Sequence, residues 1–480
     1  MPILTIDKFY GGLSSGERLG IDGSFYFSNG LNYKDNPDAI TGNLGLVKDS
    51  ATTVVDLIKW GAYDTVALNH YFYGDGGRIY RRTSAGVYSV LRTVSNSSGQ
   101  GLEVFNDYVW YTQNSQLGRY GVLSGAPSFT DNWQTGLNGT TSWRPLKNFL
   151  NLLLVGNGRY LGTVDSASTW TATKLTFPIG WYVRDIDVMG DYACIAVNDA
   201  EDITKATRGI LFFWDGSSST FNFFSELNEG GGISSIQANQ DSVVINAGLI
   251  GNLYLYTGKN NKIKRVPFVG RGKTAYVYPG ANCNFNGMTH FGISNGTSTN
   301  VYRGVYAYGQ PELDYPNSLN FEYQISTQTT TGTTLQIGCL FPFGNQLFVS
   351  WKDASTYGMD LLSTTDLQPT LSYKTRLISF DQEVEFTRFK IFFDTLTAGL
   401  DIKLYRYADR GGQTLLGRAN YEIDGGLTNK LFEGTDIGFR ATDVQFELAL
   451  NNIIPTATGT VTTMPTVSKL LVEYKPTNTL

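Results

Sequence analysis

Two histidines, His70 and His290, are all the imidazole this 480-residue chain possesses. A Ser–His nucleophile pair or a His-ligated metal centre therefore has little to draw on. His70 falls on the inward set of an alternating strand and His290 opens another, which predicts packed or hydrogen-bonded strand residues for both. Paired carboxylates could still support glycoside hydrolysis, and Asp185, Asp187 and Asp191 lie close enough in sequence to be candidates. Surface turns are the usual home of such residues, and turns are the expectation here. Cys194, Cys283 and Cys339 are far apart, odd in number and set among apolar or small residues. That spacing suits neither a zinc site nor a disulfide framework and predicts three small buried hydrophobes. Asp75-Gly76-Gly77 could suggest calcium, but a hairpin turn accounts for it better.

Aromatic side chains are the feature with most binding potential. Trp133, Trp143, Trp170 and Trp181 lie near predicted loops, where an aromatic face can stack on a sugar ring. They are the candidate glycan contacts, weighed against packing between structural repeats. Asp165-Ser166-Ala167-Ser168-Thr169-Trp170 resembles the Asp box of sialidases but lacks its glycine, and no second copy follows. Trp214-Asp215 is likewise a single occurrence of the WD dipeptide. The expectation is a protein that is not an enzyme, with no catalytic residue, no cofactor and no bound metal.

The elements that must position these residues are strands. Gly (54), Tyr (29) and Phe (28) are abundant while charged residues make up only 16%, a composition suited to short half-buried strands joined by tight turns. A net charge of −5 is too mild to argue for nucleic acid, so no sequence-specific nucleic-acid binding is expected. No run approaches the roughly 18 consecutive apolar residues of a membrane span. Met1–Lys8 shows no basic stretch followed by an apolar run, so no secretory leader is expected, and the sequons at Asn96, Asn138 and Asn295 read as incidental.

Seven segments repeat one pattern, a short apolar strand, a polar turn and a second strand rich in aromatics. The first strands are read at Thr65–His70, Tyr108–Thr112, Asn151–Val155, Tyr192–Val197, Ser242–Ala247, His290–Ser294 and Gln346–Trp351. From Tyr80 through Tyr120, Tyr160, Trp214 and Tyr256 to Tyr308 the steps are roughly 40 to 54 residues, close to the length of a four-stranded propeller blade. Since a blade cannot bury both faces alone, neighbours must stack about an axis. The predicted fold is all-β: a β-propeller of about seven blades over residues 51–380, followed by a C-terminal antiparallel β-sandwich over 381–480. The sandwich reading rests on the strict alternation in Ile402–Tyr407 and Val444–Leu450. Residues 1–50 are predicted as an extended arm that closes the ring or reaches a neighbouring subunit.

The ends carry a resemblance. Phe9-Tyr10-Gly11-Gly12-Leu13, followed by Gly30-Leu31-Asn32-Tyr33-Lys34-Asp35-Asn36-Pro37-Asp38-Ala39-Ile40, resembles the opening of propeller-bearing virion proteins of tailed bacteriophages. The closing Pro465–Tyr474 resembles the last strand of the sandwich that follows some of these propellers. The layout is similar to the nozzle-type tail proteins of short-tailed phages, although this chain is shorter. That resemblance implies a structural protein of the virion tail, made in the host cytoplasm. Its partners would be copies of itself in a cyclic oligomer and other tail proteins. A tail protein that binds a host receptor or surface glycan is the alternative, and a propeller glycosidase the third reading.

Overall fold

The computed structural model describes residues 1–14, 18, 21–32, 34, 36–49, 54–94, 99–139, 142–265, 274–294, 304–326, 335–368, 370–434, 437–452 and 461–477. Tyr33 and Asp35 of the opening motif, and the sequons at Asn96 and Asn295, lie outside the described residues. Apart from a one-turn helix at Tyr421–Asp424, the regular elements among the described residues are strands.

Seven four-stranded sheets make a seven-bladed β-propeller. Blade 1 runs from Ile58–Asp64 to Tyr88–Thr93, blade 2 from Gly101–Phe105 to Ser128–Thr135, and blade 3 from Leu146–Phe149 to Trp170–Thr176. Blade 4 runs from Tyr182–Met189 to Phe223–Leu227, blade 5 from Ile233–Ala238 to Asn260–Arg265, and blade 6 from Asn282–Phe285 to Ser318–Gln324. Blade 7 takes three strands, from Gln336–Phe343 to Thr356–Leu367, and its fourth is Leu44–Lys48. A strand drawn from the N-terminal segment thus completes the last blade. The first strands of blades 7 and 1 are neighbours, which closes the circle.

The strands read from sequence as first in each repeat are the second strands of the blades: Asn69–Gly74, Tyr108–Gln113, Leu152–Asn157, Tyr192–Asn198, Val243–Ala247, Met288–Gly292 and Gln346–Asp353. In the first repeat Thr65–Leu68 is the turn itself, with Leu68 at φ 54°. Second strands are covered on both faces by adjacent blades, so nearly every position is apolar or aromatic. Cys194, Ile195, Ala196 and Val197 in blade 4 are fully buried. Their side chains alternate between two cores, one against blade 3 with Leu154, Phe177 and Trp214 and the other against blade 5 with Ile236, Val243 and Ile245. At about 25 cal/mol per Å² of apolar surface, this double-sided burial is the main force holding blade to blade. The inner strands approach so closely that a side chain would not fit everywhere. A Cβ on Gly338 would stand 2.1 Å from the carbonyl oxygen of Ile58.

Chain contacts divide the molecule into two units, Lys48–Arg303 with Thr327–Leu361, and Met1–Val47 with Gly304–Ser326 and Leu362–Leu480. The second unit holds a nine-stranded antiparallel sheet. Its order is Ile3–Ile6, Val467–Pro476, Ile378–Phe393, Phe439–Asn452, Thr370–Thr375 and Phe25–Asn29, with Leu400–Ala408, Thr414–Asn420 and Asn429–Glu433 branching from it. The sheet curls because its two longest strands each serve more than two partners. Phe439–Asn452 pairs with Ile378–Phe393 along its first half and with Thr370–Thr375 and Leu400–Ala408 along its second. The apolar face holds Phe386, Phe389, Phe439 and Phe446, with Phe386 stacked on Phe439 at 4.7 Å. One curled sheet stands where two packed sheets are expected from alternation alone. Residues 1–50, read as an extended arm, carry three strands: Ile3–Ile6 pairs with Val467–Pro476, Phe25–Asn29 with Thr370–Thr375, and Leu44–Lys48 closes blade 7.

Candidate functional site

The first strands of all seven blades line one axial channel of about 380 Å³. Its charged and amide side chains come from blades 2 to 6. In blade 4 a register shift between Val183 and Asp185 turns the inner strand so that both Asp185 and Asp187 are buried. They are therefore not turn residues as expected; only Asp191 lies exposed in a turn, after Gly190.

Asp187 spends both oxygens on its neighbours. Oδ1 pairs with Lys147 Nζ of blade 3 at 2.7 Å, while Oδ2 accepts from Gln237 Nε2 at 3.0 Å and Ala238 N at 2.6 Å in blade 5. Asp185 accepts from its own strand at Ile186 N and from Ile236 N of blade 5, each at 2.9 Å. Asn284 of blade 6 donates to the Ala238 carbonyl at 2.7 Å, and Asn148 of blade 3 to that of Val104 in blade 2 at 2.6 Å. These bonds brace five consecutive blades across the inner rim. Burial pushes the Asp185 carboxyl up to about 8 and that of Glu103, in blade 2, up to about 7. Lys147 is held above the usual lysine range chiefly by the Asp187 carboxylate. A hydrolytic pair needs one carboxyl free to protonate a leaving group and another facing it. Here Asp187 is saturated and Asp185 is committed to two backbone N–H groups. No cluster of three or more His, Cys, Asp or Glu side chains able to hold a metal occurs among the described residues.

A second concavity, about 690 Å³, opens beside the channel and is floored by Trp143, Arg184, Tyr276 and Tyr278. Trp143 is 8% exposed and sits 5.1 Å from Tyr278, ring to ring. Two cations lie on its ring, Arg184 at 4.6 Å and Lys59 Nζ at 4.7 Å. Arg184 donates from Nε to the Ser234 carbonyl at 3.1 Å. Burial lowers the Arg184 guanidinium to about 10 and the Lys59 ammonium to about 8. Carboxylates stand at the rim with partners of their own. Glu201 accepts from Ser142 N at 2.9 Å, Asp199 from Thr207 N at 2.8 Å, and Asp202 from Thr204 N at 3.0 Å.

Of the four tryptophans named as glycan contacts, Trp143 alone lines this cleft. Trp133, in the outer strand of blade 2, packs edge-on against Trp110 at 4.7 Å. Trp170 lies over Gly162, whose Cβ would stand 2.3 Å from its ring, and both Trp133 and Trp170 lean on the core between blades 2 and 3. Trp181 is buried in the core between blades 3 and 4, with Arg208 over its ring at 5.1 Å. The structure thus distributes the four over three places. His70 is buried among Tyr63, Phe72, Phe343 and Phe348, and burial lowers its imidazole to about 4. His290 is buried with Nδ1 3.3 Å from the Met288 carbonyl. All three cysteines are free and buried, and burial raises each thiol above its ordinary range.

Lys59, Glu103, Lys147 and Arg184 escape a reading by sequence. Each lies on an inner strand that precedes a recognised repeat, and the available signal is a lone charge inside a short apolar stretch, as in Leu146-Lys147-Asn148-Phe149.

No protein-family model matches this chain, and no curated protein matches it. Solved structures do resemble it. A streptogramin B lyase shares 11% identity over 67% of this chain and 97% of its own, with a TM-score of 0.45. BamB from Moraxella catarrhalis shares 15% over 71% and 98%, at 0.38. The extracellular domain of a hybrid two-component system from B. thetaiotaomicron shares 13% over 74% and 44%, at 0.47. No activity passes to this chain from likenesses of that level. What the coordinates define is the class: a seven-bladed β-propeller with a curled antiparallel sheet built from the two ends of the sequence.

Proposed function

We propose that this chain is a non-enzymatic structural component of a bacteriophage tail, a stiff propeller that assembles into a symmetric ring through its terminal sheet. The observation that carries the assembly reading is an apolar surface on that sheet. Leu415, Tyr421, Ile423, Leu427 and Leu431, all within the stretch from Thr414–Asn420 to Asn429–Glu433, are between 44% and 77% exposed. Large apolar side chains grouped at a surface mark sites that another subunit covers. The occupant proposed is a neighbouring copy of the same chain, since a closed ring presents one surface to an identical partner's complement. The tail assignment itself is supported by the layout of residues at the two ends. Leu13, from the opening motif, and Val467–Tyr474, from the closing one, both belong to this unit. Rigidity is supported by the braces through Asp185 and Asp187, which occupy the carboxylates best placed for catalysis.

Virions of the encoding phage provide the test. Mass spectrometry and electron microscopy should find the chain in several copies per particle, arranged as a ring in the tail. Purified protein should form a cyclic oligomer by light scattering, and the double substitution Ile423→Asp, Leu431→Asp should return it to monomers with an unchanged melt. Absence from purified virions would end the tail reading. An oligomer indifferent to the two aspartates would remove the proposed interface.

A further inference from the structure

The cleft on the propeller is lined by a buried cation, Arg184, and a second cation, Lys59, packs on two of its lining rings, Trp143 and Tyr278. Arg184 is 5% exposed, and Lys59 is half-buried. Neither makes an ion pair among the described residues. Burying like charges side by side costs free energy, and a structural use would supply each with a carboxylate. Asp185, next to Arg184 in sequence, acts on it through space but makes no ion pair with it, its oxygens accepting from Ile186 N and Ile236 N. Asp75 acts on Lys59 at longer range and is engaged by Leu57 N at 3.1 Å. The faces of Trp143 and Tyr278 hold the two heads where they are, Lys59 Nζ lying 4.7 Å and 5.9 Å from the two ring centres. Arg184 is thus a preorganised cation in the wall of an open cavity.

The rim narrows the ligand. Asp199, Glu201 and Asp202 surround the same cavity, with Lys205 facing Asp202 at 3.6 Å. A multiply charged phosphate would meet those carboxylates at close quarters. A ligand with a single carboxylate and many hydroxyls would not, since its anion can take the floor while its hydroxyls donate to the rim. The tyrosines lining the cleft, Tyr182, Tyr276 and Tyr278, add apolar ring faces with hydroxyl tips, a surface suited to pyranose rings. A volume of about 690 Å³ is in the range that holds a small oligosaccharide.

We propose that this cleft binds a carboxylated saccharide, of the uronic or sialic acid type, through Arg184 held on Trp143, with Lys59 adding its charge from the same ring. The site differs from one built on exposed tryptophan faces, because here Trp143 positions the cations and the carboxylate provides recognition. It rests on the cleft alone, so its failure and that of the structural reading are separate events.

The test is calorimetric titration of the full-length protein with a galacturonic acid trisaccharide and with sialyllactose, against lactose and inorganic phosphate as controls. Saturable binding of one or both acidic sugars is expected, with lactose and phosphate weaker by about tenfold or more. Arg184→Met should weaken the acidic sugar by about tenfold and Arg184→Lys should restore it in part, while Lys59→Met should weaken it less, at an unchanged melting temperature. The two sugars distinguish a uronic acid from a sialic acid as the source of the carboxylate. Equal affinity for lactose, tighter binding of phosphate, an unaltered affinity in Arg184→Met, or no saturation by any sugar to about 10 mM would each overturn the proposal.

Discussion

Asp49 follows directly on the strand Leu44–Lys48 that completes blade 7, and it fastens that strand to blade 1. Its Oδ2 accepts from Arg82 Nε at 2.7 Å and from Tyr88 Oη at 3.0 Å, both in blade 1, while its own N–H donates to the Met359 carbonyl of blade 7 at 3.0 Å. The carboxylate is 7% exposed and the Arg82 side chain 10%, and the guanidinium lies 4.9 Å from the Phe348 ring. Asp49→Ala would strand a buried guanidinium and a buried phenol where the ring closes between blades 7 and 1. Breaking a buried pair from one side costs about 3–5 kcal/mol. For a unit of this size that corresponds to a fall in melting temperature of about 6–10 °C. The informative companion is the double variant Asp49→Ala, Arg82→Met, which removes the charge and keeps an aliphatic stem on Phe348. It should be less destabilised than the sum of its single changes by about 1–3 kcal/mol. Urea unfolding followed by tryptophan fluorescence reads both quantities. A single variant within about 1 kcal/mol of the parent, or strict additivity in the cycle, would refute the latch.

Further outcomes follow from buried groups and close contacts. Both ring nitrogens of His70 are buried away from water, and burial lowers its imidazole to about 4. A lowered histidine withdraws stability as pH falls from about 6.5 toward 4, so His70→Phe should gain on the parent as the medium is acidified; an advantage that does not vary with pH in urea melts would count against this. Glu103 has the opposite sign: its carboxyl is raised to about 7, so its contribution is whole below about 4 and is lost as pH rises to about 7. Glu103→Gln, which keeps an acceptor for Val104 N, should therefore gain on the parent with rising pH, and a parallel pair of pH–stability curves would exclude it. Gly162→Ala puts a Cβ 2.3 Å from the Trp170 ring. It should cost about 1–3 kcal/mol by displacing that ring from the seam between blades 2 and 3, and a neutral melt would show the ring free to move.

The part of the propeller legible in the sequence was the part buried on both sides. Second strands such as Tyr192–Asn198, and third strands such as Gly209–Trp214, have a neighbour on each face, so apolar and aromatic residues fill them and their recurrence stands out. Inner strands face a wet channel on one edge and the next blade on the other. Lys147, Asp187, Gln237 and Asn284 interrupt them, and no hydrophobic period survives. Outer strands fail differently: Ser128–Thr135 alternates partly buried with exposed positions and reads like a loop. In the terminal sheet, alternation located Val444–Leu450, but Gln445 is buried there because it donates to the Thr375 carbonyl at 3.2 Å. That bond reports the neighbouring strand Thr370–Thr375, more than seventy residues away in sequence, which no local pattern announces.

The same blindness explains the site. Carboxylates in turns and single tryptophans are the chemistry a linear sequence displays, because each is informative one at a time. The channel and the cleft depend instead on which inner strands become adjacent. Asp187 is unremarkable until Lys147 of blade 3 and Gln237 of blade 5 arrive on either side of it, and Trp143 until Lys59 of blade 1 and Arg184 of blade 4 converge on its ring. The brace at Asp187 needs three consecutive blades, and the cluster on Trp143 joins Lys59 of blade 1 to Arg184 of blade 4, so it needs more of the ring in place. The seam at Asp49 is where blade 1 meets blade 7 and the ring closes. If the latch is weakened without unfolding the blades, the two cations over Trp143 lose their register before the cores between blades 3 and 5 lose theirs. Acidic-sugar binding should then fail at a lower urea concentration than the fluorescence transition of the cores. Coincident loss of both would mean that the ring opens only as a whole.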